Sequence, residues 1–287
     1  MGLQTLVNAL LLGGLYALMG AGFSLQWGIS GIINLSYGTL VILGSYFSLV
    51  MFDYLGIDPF ISIISSGAAL FLIGAVIYRV VLQPLSKSGI VFTLILTFAV
   101  SLILQNFMLA VWSADYRTIR VSYAGSSIGF AGAYVPVIKL LSFFVALAFI
   151  AALYWFFKKT KTGKGIMAVA LDKVGAQAVG IDIQKMYLIN FALGAALAGA
   201  AGVLWASIYS FSPHLVGLLV GKVFIIAIIG GLGNIWGAAA GGLVLGIAET
   251  AGATFVGSQW QEAIGFVIMV LVLIFRPYGL LGKKYFA

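Results

Sequence analysis

The 287-residue sequence has no cysteine, one histidine, five prolines and only seven acidic side chains. Without cysteine, disulfides, thiolate nucleophiles and Cys-bound metal sites are excluded. One histidine, His214 beside Pro213, makes no cluster for a metal ion and reads as a solvated or capping side chain. No Ser/His/Asp or paired-carboxylate constellation can be assembled, so no catalytic residue is assigned. A phosphate-binding loop is also missing. Its nearest match, GLLVGKV at Gly217–Val223, is one residue short and has Val223 where a hydroxyl is needed. GGLGNIWG has Trp236 where the last glycine of a dinucleotide fingerprint should stand, so a helix break fits better. Polar segments run to roughly 20–28 residues, too short for a separate soluble domain.

What the chain does have is apolar surface. It is 63% hydrophobic and 8% charged, with a mean hydropathy of +1.17. A soluble domain cannot hide so much apolar surface, and a bilayer can. Thirty-seven glycines supply close-packing positions between transmembrane helices. The net charge of +8 sits in a few loops between spans, which fits the positive-inside rule and not nucleic-acid binding. The start, MGLQTLVNALLLGG, has neither a basic region nor a small-residue cleavage site, and is read as the first span.

A helical span needs about 20 apolar residues. Spans are expected at Leu3–Gln26, Ile32–Phe52, Phe60–Val81, Ile90–Trp112, Tyr134–Phe157, Met186–Phe211 and Gln261–Phe275. Val216–Val256 is about twice one span's length and is broken by GGLGN at Gly230–Asn234. It reads as two spans at a tight turn or as shorter broken helices. The expected fold is all-α, a polytopic bundle of roughly eight or nine spans filling residues 1–287 as one unit. Arg79, Lys87, the lysines from Lys158 to Lys185, Arg276, Lys283 and Lys284 mark inner loops. Asp53 and Asp58 mark an outer loop, and Ser113–Ala133 falls outside by alternation. The N-terminus is then outside and the C-terminus cytoplasmic, which calls for an odd span count.

The longest polar interruption is Thr160–Ile181, TKTGKGIMAVALDKVGAQAVGI. Folded as a helix from Gly165, it places Met167, Leu171, Val174, Ala178 and Ile181 on one face, with Asp172, Lys173 and Gln177 off it. Two readings stand: a loop helix that only keeps positive charge inside, or a docking helix for a soluble partner. The residues alone lean to the first.

A charge at mid-span costs about 2.5–3.5 kcal/mol on insertion scales, so Glu249 in GLVLGIAET stands out. It reads equally as a pathway residue or as a helix-contact carboxylate. Lys222 is expected to snorkel at the outer boundary. Gln105, Asn106 and Asn190 are expected to hydrogen-bond between helices. Asn34, Ser36, Tyr37 and Gly38 form a polar break that can expose backbone groups to a path. With Thr97, Asn234 and Glu249 they are the candidates for a translocation path. Gly194/Ala198/Gly202 and Gly237/Gly241/Gly242/Gly246 are small-residue rows, read as packing within the chain ahead of dimerisation.

Five stretches in order resemble the permease subunits of branched-chain amino-acid ABC importers. They are NALLLGGLYALMGAGFSLQWGISGIINLSYG, LILTFAVSLILQN, TGKGIMAVALDKVGAQAVGI, FIIAIIGGLGNIWGAAAGGLVLGIAE and RPYGLLGK. The chain departs from the family's usual pattern at Leu35–Tyr37, Phe98–Ala99, Val169 and Gln83. The resemblance implies a multi-pass inner-membrane permease for branched-chain or related amino acids, with no nucleotide site or cofactor of its own. It implies a second permease subunit, two ABC ATPase subunits, an extracytoplasmic substrate-binding protein and surrounding membrane lipid as partners. It also implies that segment 158–185 is cytoplasmic, with Gly165, Ala168, Ala170, Asp172, Ala176, Gly180 and Ile181 transmitting ATPase motion. The alternatives are a permease for urea, amides or other amino acids, an ion-gradient-driven carrier, which the lack of a repeat and of further membrane carboxylates disfavours, and a membrane-embedded enzyme.

Overall fold

The computed structural model of the protein describes residues 2–85, 89–130 and 132–282. The inner-side markers Lys87, Lys283 and Lys284 lie outside the described residues. The described chain forms α1 (Leu3–Ser30), α2 (Tyr37–Leu55), α3 (Pro59–Ile77), α4 (Ile90–Trp112) and α5 (Val137–Lys159), then two short helices, α6 (Lys161–Leu171) and α7 (Lys173–Ala178). It continues through α8 (Ile183–Ile208), α9 (Val216–Gly230), α10 (Ile235–Phe255) and α11 (Gln261–Phe275). Among the described residues, nine helical stretches are long and apolar enough to cross a membrane. The region 216–256 resolves into α9 and α10 joined by a tight turn, so the odd count stands.

Several boundaries move by a few residues. The second span begins at Tyr37, not Ile32, because residues 31–36 run irregularly into the protein. The fifth begins at Val137, because Ala133–Pro136 forms β2, antiparallel to β1 (Ser127–Phe130). This hairpin in the loop after α4 was not expected in an all-α chain. Backbone pairing of Arg117 with Phe211 holds the loop to the end of α8. Tyr123 Oη donates to Asp58 Oδ2 at 2.6 Å, and burial together with that carboxylate pushes the phenol above its ordinary range.

α1 and α8 are the most enclosed spans, while α4 and α11 lie at the edge. α1 packs along α10, and α8 along α2 and α3. Glycine makes these approaches possible. A Cβ on Gly28 would overlap the Gly233 backbone, and one on Gly202 would overlap the Val41 carbonyl. Gly242 and Gly246 likewise abut Ala17 and Gly13 of α1. The small-residue rows are therefore consumed within the chain. Three of the seven acids, Asp58, Asp172 and Asp182, accept backbone N–H bonds as helix N-caps.

Candidate functional site

At one end of the bundle, α6 and α7 lie across the ends of α5 and α8. α6 starts earlier than expected, at Lys161, because Thr160 Oγ1 accepts from Gly163 N at 2.9 Å. Nor is the segment one continuous helix. Asp172 adopts an extended backbone and its Oδ1 accepts from Val174 N at 3.0 Å, ending α6 and capping α7. α7 ends at Ala178; just beyond it Gly180 has a φ of +83°, which suits glycine, and Ile181 N returns to Ala176 O at 3.0 Å. The break leaves the apolar stripe nearly in phase. Met167 is 40% exposed, Leu171 82% and Val174 79%, while Ile166 and Val169 are fully buried. The expected apolar face thus points away from the bundle at Met167, Leu171, Val174 and Ala178, while Ile181 at its end packs on the core. Of the other residues in the segment, Ala170, Asp172 and Gly180 are exposed, Gly165, Ala168 and Ile181 are half-buried, and Ala176 is buried.

Just inside this end, the irregular 31–36 segment is pinned between α1, α4 and α8. Asn34 Nδ2 donates to Gln26 Oε1 at 2.9 Å, and Asn34 Oδ1 accepts from Ser36 N at 3.0 Å and Ser36 Oγ at 2.6 Å. Gln26 Nε2 donates to Phe191 O at 2.8 Å. Thr97 Oγ1 donates toward Ile33 O at 3.1 Å and accepts from Leu35 N at 3.2 Å. Tyr37 is buried, and its hydroxyl, lodged against Gly22, has no hydrogen-bond partner. Gly38 lets α2 meet the Val216 carbonyl at the start of α9. Asn34, Ser36, Tyr37, Gly38 and Thr97 are therefore neighbours. Gln26, the partner that joins them to α8, was not singled out in the sequence; its signal was a carboxamide late in an apolar span.

Glu249 and Asn234 lie apart from that group. Asn234 Oδ1 caps α10 through Trp236 N at 3.0 Å, and its Nδ2 donates to Leu281 O at 2.8 Å. Glu249 is buried toward the opposite end and pairs with Lys222 of α9. It also accepts from Tyr16 Oη of α1 at 2.7 Å and from Gln261 Nε2 of α11 at 3.1 Å. Lys222 therefore does not snorkel. It is 6% exposed and forms the one ion pair among the described residues, its buried charge met by the Glu249 carboxylate instead of by water at the boundary. Asn190 bridges helices through Leu25 O at 3.0 Å, and Gln105 reaches Pro213 O at 2.9 Å. Asn106 instead bonds Leu102 O of its own helix at 2.8 Å.

Nine helices long and apolar enough to cross a membrane among the described residues, with glycine-mediated crossings, define the class: a multi-pass membrane protein. A family model described as branched-chain amino acid transport system / permease component matches residues 5–273, and the chain belongs to that family. It is 32% identical to the high-affinity branched-chain amino acid transport system permease protein BraD of Pseudomonas aeruginosa, covering 98% of this chain and 96% of that one. It is 30% identical to the permease protein LivH of Escherichia coli, with the same coverage. LivM of Escherichia coli is 24% identical, across 93% of this chain and 68% of that one. The solved structure of PsaBC from Streptococcus pneumoniae in complex with Fab covers 99% of this chain and 94% of its own, with 11% identity and a TM-score of 0.52, a likeness of fold alone.

Proposed function

We propose that this chain is the membrane-spanning subunit of an ATP-driven importer of branched-chain amino acids. It would work beside a second permease, over two ATP-binding subunits and under an extracytoplasmic substrate-binding protein. The chain itself hydrolyses nothing, and residues 1–287 act as one permease unit. One observation carries the reading: Leu171 and Val174 expose an apolar face outside the spans, close to Lys161, Lys164 and Lys173. An unpartnered apolar face beside lysines is poorly hydrated and suits a protein partner. The basic end faces the cytoplasm, which sets the N-terminus outside and the C-terminus inside. Closure of the ATP-binding pair pushes α6–α7, and Asp172, Ala176 and Gly180 fix how that push reaches α8. The cargo path follows the polar segment at Asn34, Ser36, Tyr37 and Gly38, with Thr97 beside it, while Glu249 and Asn234 hold the walls.

The direct test is gentle-detergent purification of the chain from its native membrane, with mass spectrometry of what accompanies it. A P-loop ATPase and a second permease are expected in the wild-type eluate. The ATPase should disappear in Leu171→Asp/Val174→Asp while the second permease stays. A wild-type subunit that purifies alone and stable overturns the importer reading.

A further inference from the structure

Away from α6–α7, a cavity of about 200 Å³ opens among the ends of α1, α5, α8, α10 and α11. Asn8, Lys139, Tyr209, Thr250 and Gln261 supply its polar wall. The side chains of Asn8, Lys139, Tyr209 and Thr250 make no hydrogen bond or ion pair with any other described residue. Asn8 of α1, Lys139 of α5, Tyr209 just past α8 and Thr250 of α10 therefore bring four unused hydrogen-bonding groups, one of them on a half-buried lysine, to a single space. The remaining wall is aliphatic, with Leu11, Leu12, Leu15 and Ile208. An uncompensated lysine at the end of a membrane span is costly unless an anion or water meets it.

We infer that this cavity binds the phosphodiester headgroup of an anionic phospholipid from the leaflet opposite the α6–α7 end. One ammonium matches one phosphodiester charge, neutral donors surround it, and the aliphatic wall accommodates the glycerol and first acyl carbons. A zwitterionic amino acid fits less well. Its ammonium would need a carboxylate, and none lines the cavity; Glu249 is occupied by Lys222, Tyr16 and Gln261.

The test uses the full chain, with any partners it retains, in nanodiscs of mixed phosphatidylglycerol and phosphatidylcholine. Native mass spectrometry reads which lipid stays bound. Preferential retention of phosphatidylglycerol is expected, falling roughly tenfold in Lys139→Gln through loss of a charge-assisted hydrogen bond. Thr250→Val, which leaves the charge in place, should give a smaller loss, so the site stays testable if Lys139→Gln folds poorly. Equal retention in wild type and both variants overturns the site. Displacement of the lipid by excess inorganic phosphate would mark a free-anion site and overturn the lipid assignment. The measurement needs neither ATP nor transport, so it can fail while the importer reading holds, and the reverse.

Discussion

At the α6–α7 end, neutral groups, Gln26, Asn34, Ser36 and Thr97, join the helices; toward the other end α1, α9, α10 and α11 meet at the ion pair of Lys222 with Glu249. The neutral network joins helices to an irregular segment through several separate bonds, so one bond can exchange while the others hold. The ionic cluster joins α1, α9, α10 and α11 through a single carboxylate. Opening it strands a charge in an apolar interior, which no small rearrangement repairs. The two ends should then differ in mechanical character, with a fixed pivot around Glu249 and a rearrangeable region around Asn34. Movement driven from α6–α7 would then be taken up near the network, close to where it is applied.

The largest expected effect breaks the pivot. Glu249→Ala leaves Lys222 buried without its partner and should cost about 3–5 kcal/mol, read as thermal unfolding in detergent. The double variant Lys222→Met/Glu249→Leu removes both charges and should recover most of that loss. If the single and double variants unfold alike, the penalty is not the stranded charge and the pivot picture fails. Next in size is Asn34→Ala, which frees Gln26 Oε1 and two Ser36 donors at once. About 1–3 kcal/mol is expected, less than at Glu249, because the abandoned groups are neutral. Uptake in proteoliposomes should fall further than stability does. An Asn34→Ala protein that unfolds as readily as Glu249→Ala would erase the contrast between the ends.

How far sequence foresaw these clusters depends on whether a signal was local. α4 and α11 have the expected limits, with Gly89 before α4 and polar residues, Ser113 and Arg276, after the two helices. The α6–α7 stripe was legible as a periodicity, but its direction was not. Ile166 and Val169 form a second apolar row as good as Met167 and Leu171, and packing beneath α6, with Gly163 against Phe156 and Phe157, decides which row is buried. The break at Asp172 was hidden because the apolar spacing runs through it with little change. Lys222 and Glu249 lie at different distances from the Gly231–Asn234 turn, so span arithmetic gave no reason to pair them. Tyr16 is far from both in sequence, Gln261 follows Glu249 across the α10–α11 turn, and only the packing of α1 and α11 brings their side chains there. Asn34 was found because a polar, glycine-flanked break is a local signal; its bond to Gln26 crosses a turn whose path the sequence does not dictate.

A smaller effect on stability, with a large one on function, is expected at Leu171→Asp. The residue is exposed and touches little within the chain, so unfolding should shift by no more than about 0.5 kcal/mol. Stimulation of the partner's ATPase by delivered substrate should be lost. This sharpens the contrast from outside: the input surface is disabled while both clusters stay intact. Preserved stimulation would mean that α6–α7 drives neither end.

The smallest change is Tyr37→Phe, and its sign matters more than its size. Tyr37 is buried beside the neutral network and its hydroxyl has no partner. Removing a bonded buried hydroxyl destabilises, whereas removing an unbonded one takes away a group that lost its water on folding and gained nothing in return. Tyr37→Phe should therefore leave stability unchanged or slightly raised in a thermal melt. If the hydroxyl is held in reserve for a cargo or for a rearranged network, uptake should fall while the melt does not. A fall in both would mean that Tyr37 is already bonded in the resting protein, and the network would then be as fully satisfied as the ionic cluster. In that case Tyr37 would not be the spare group, and any rearrangement at the α6–α7 end would have to draw on the unbonded Tyr187 Oη and Asn190 Oδ1 of α8.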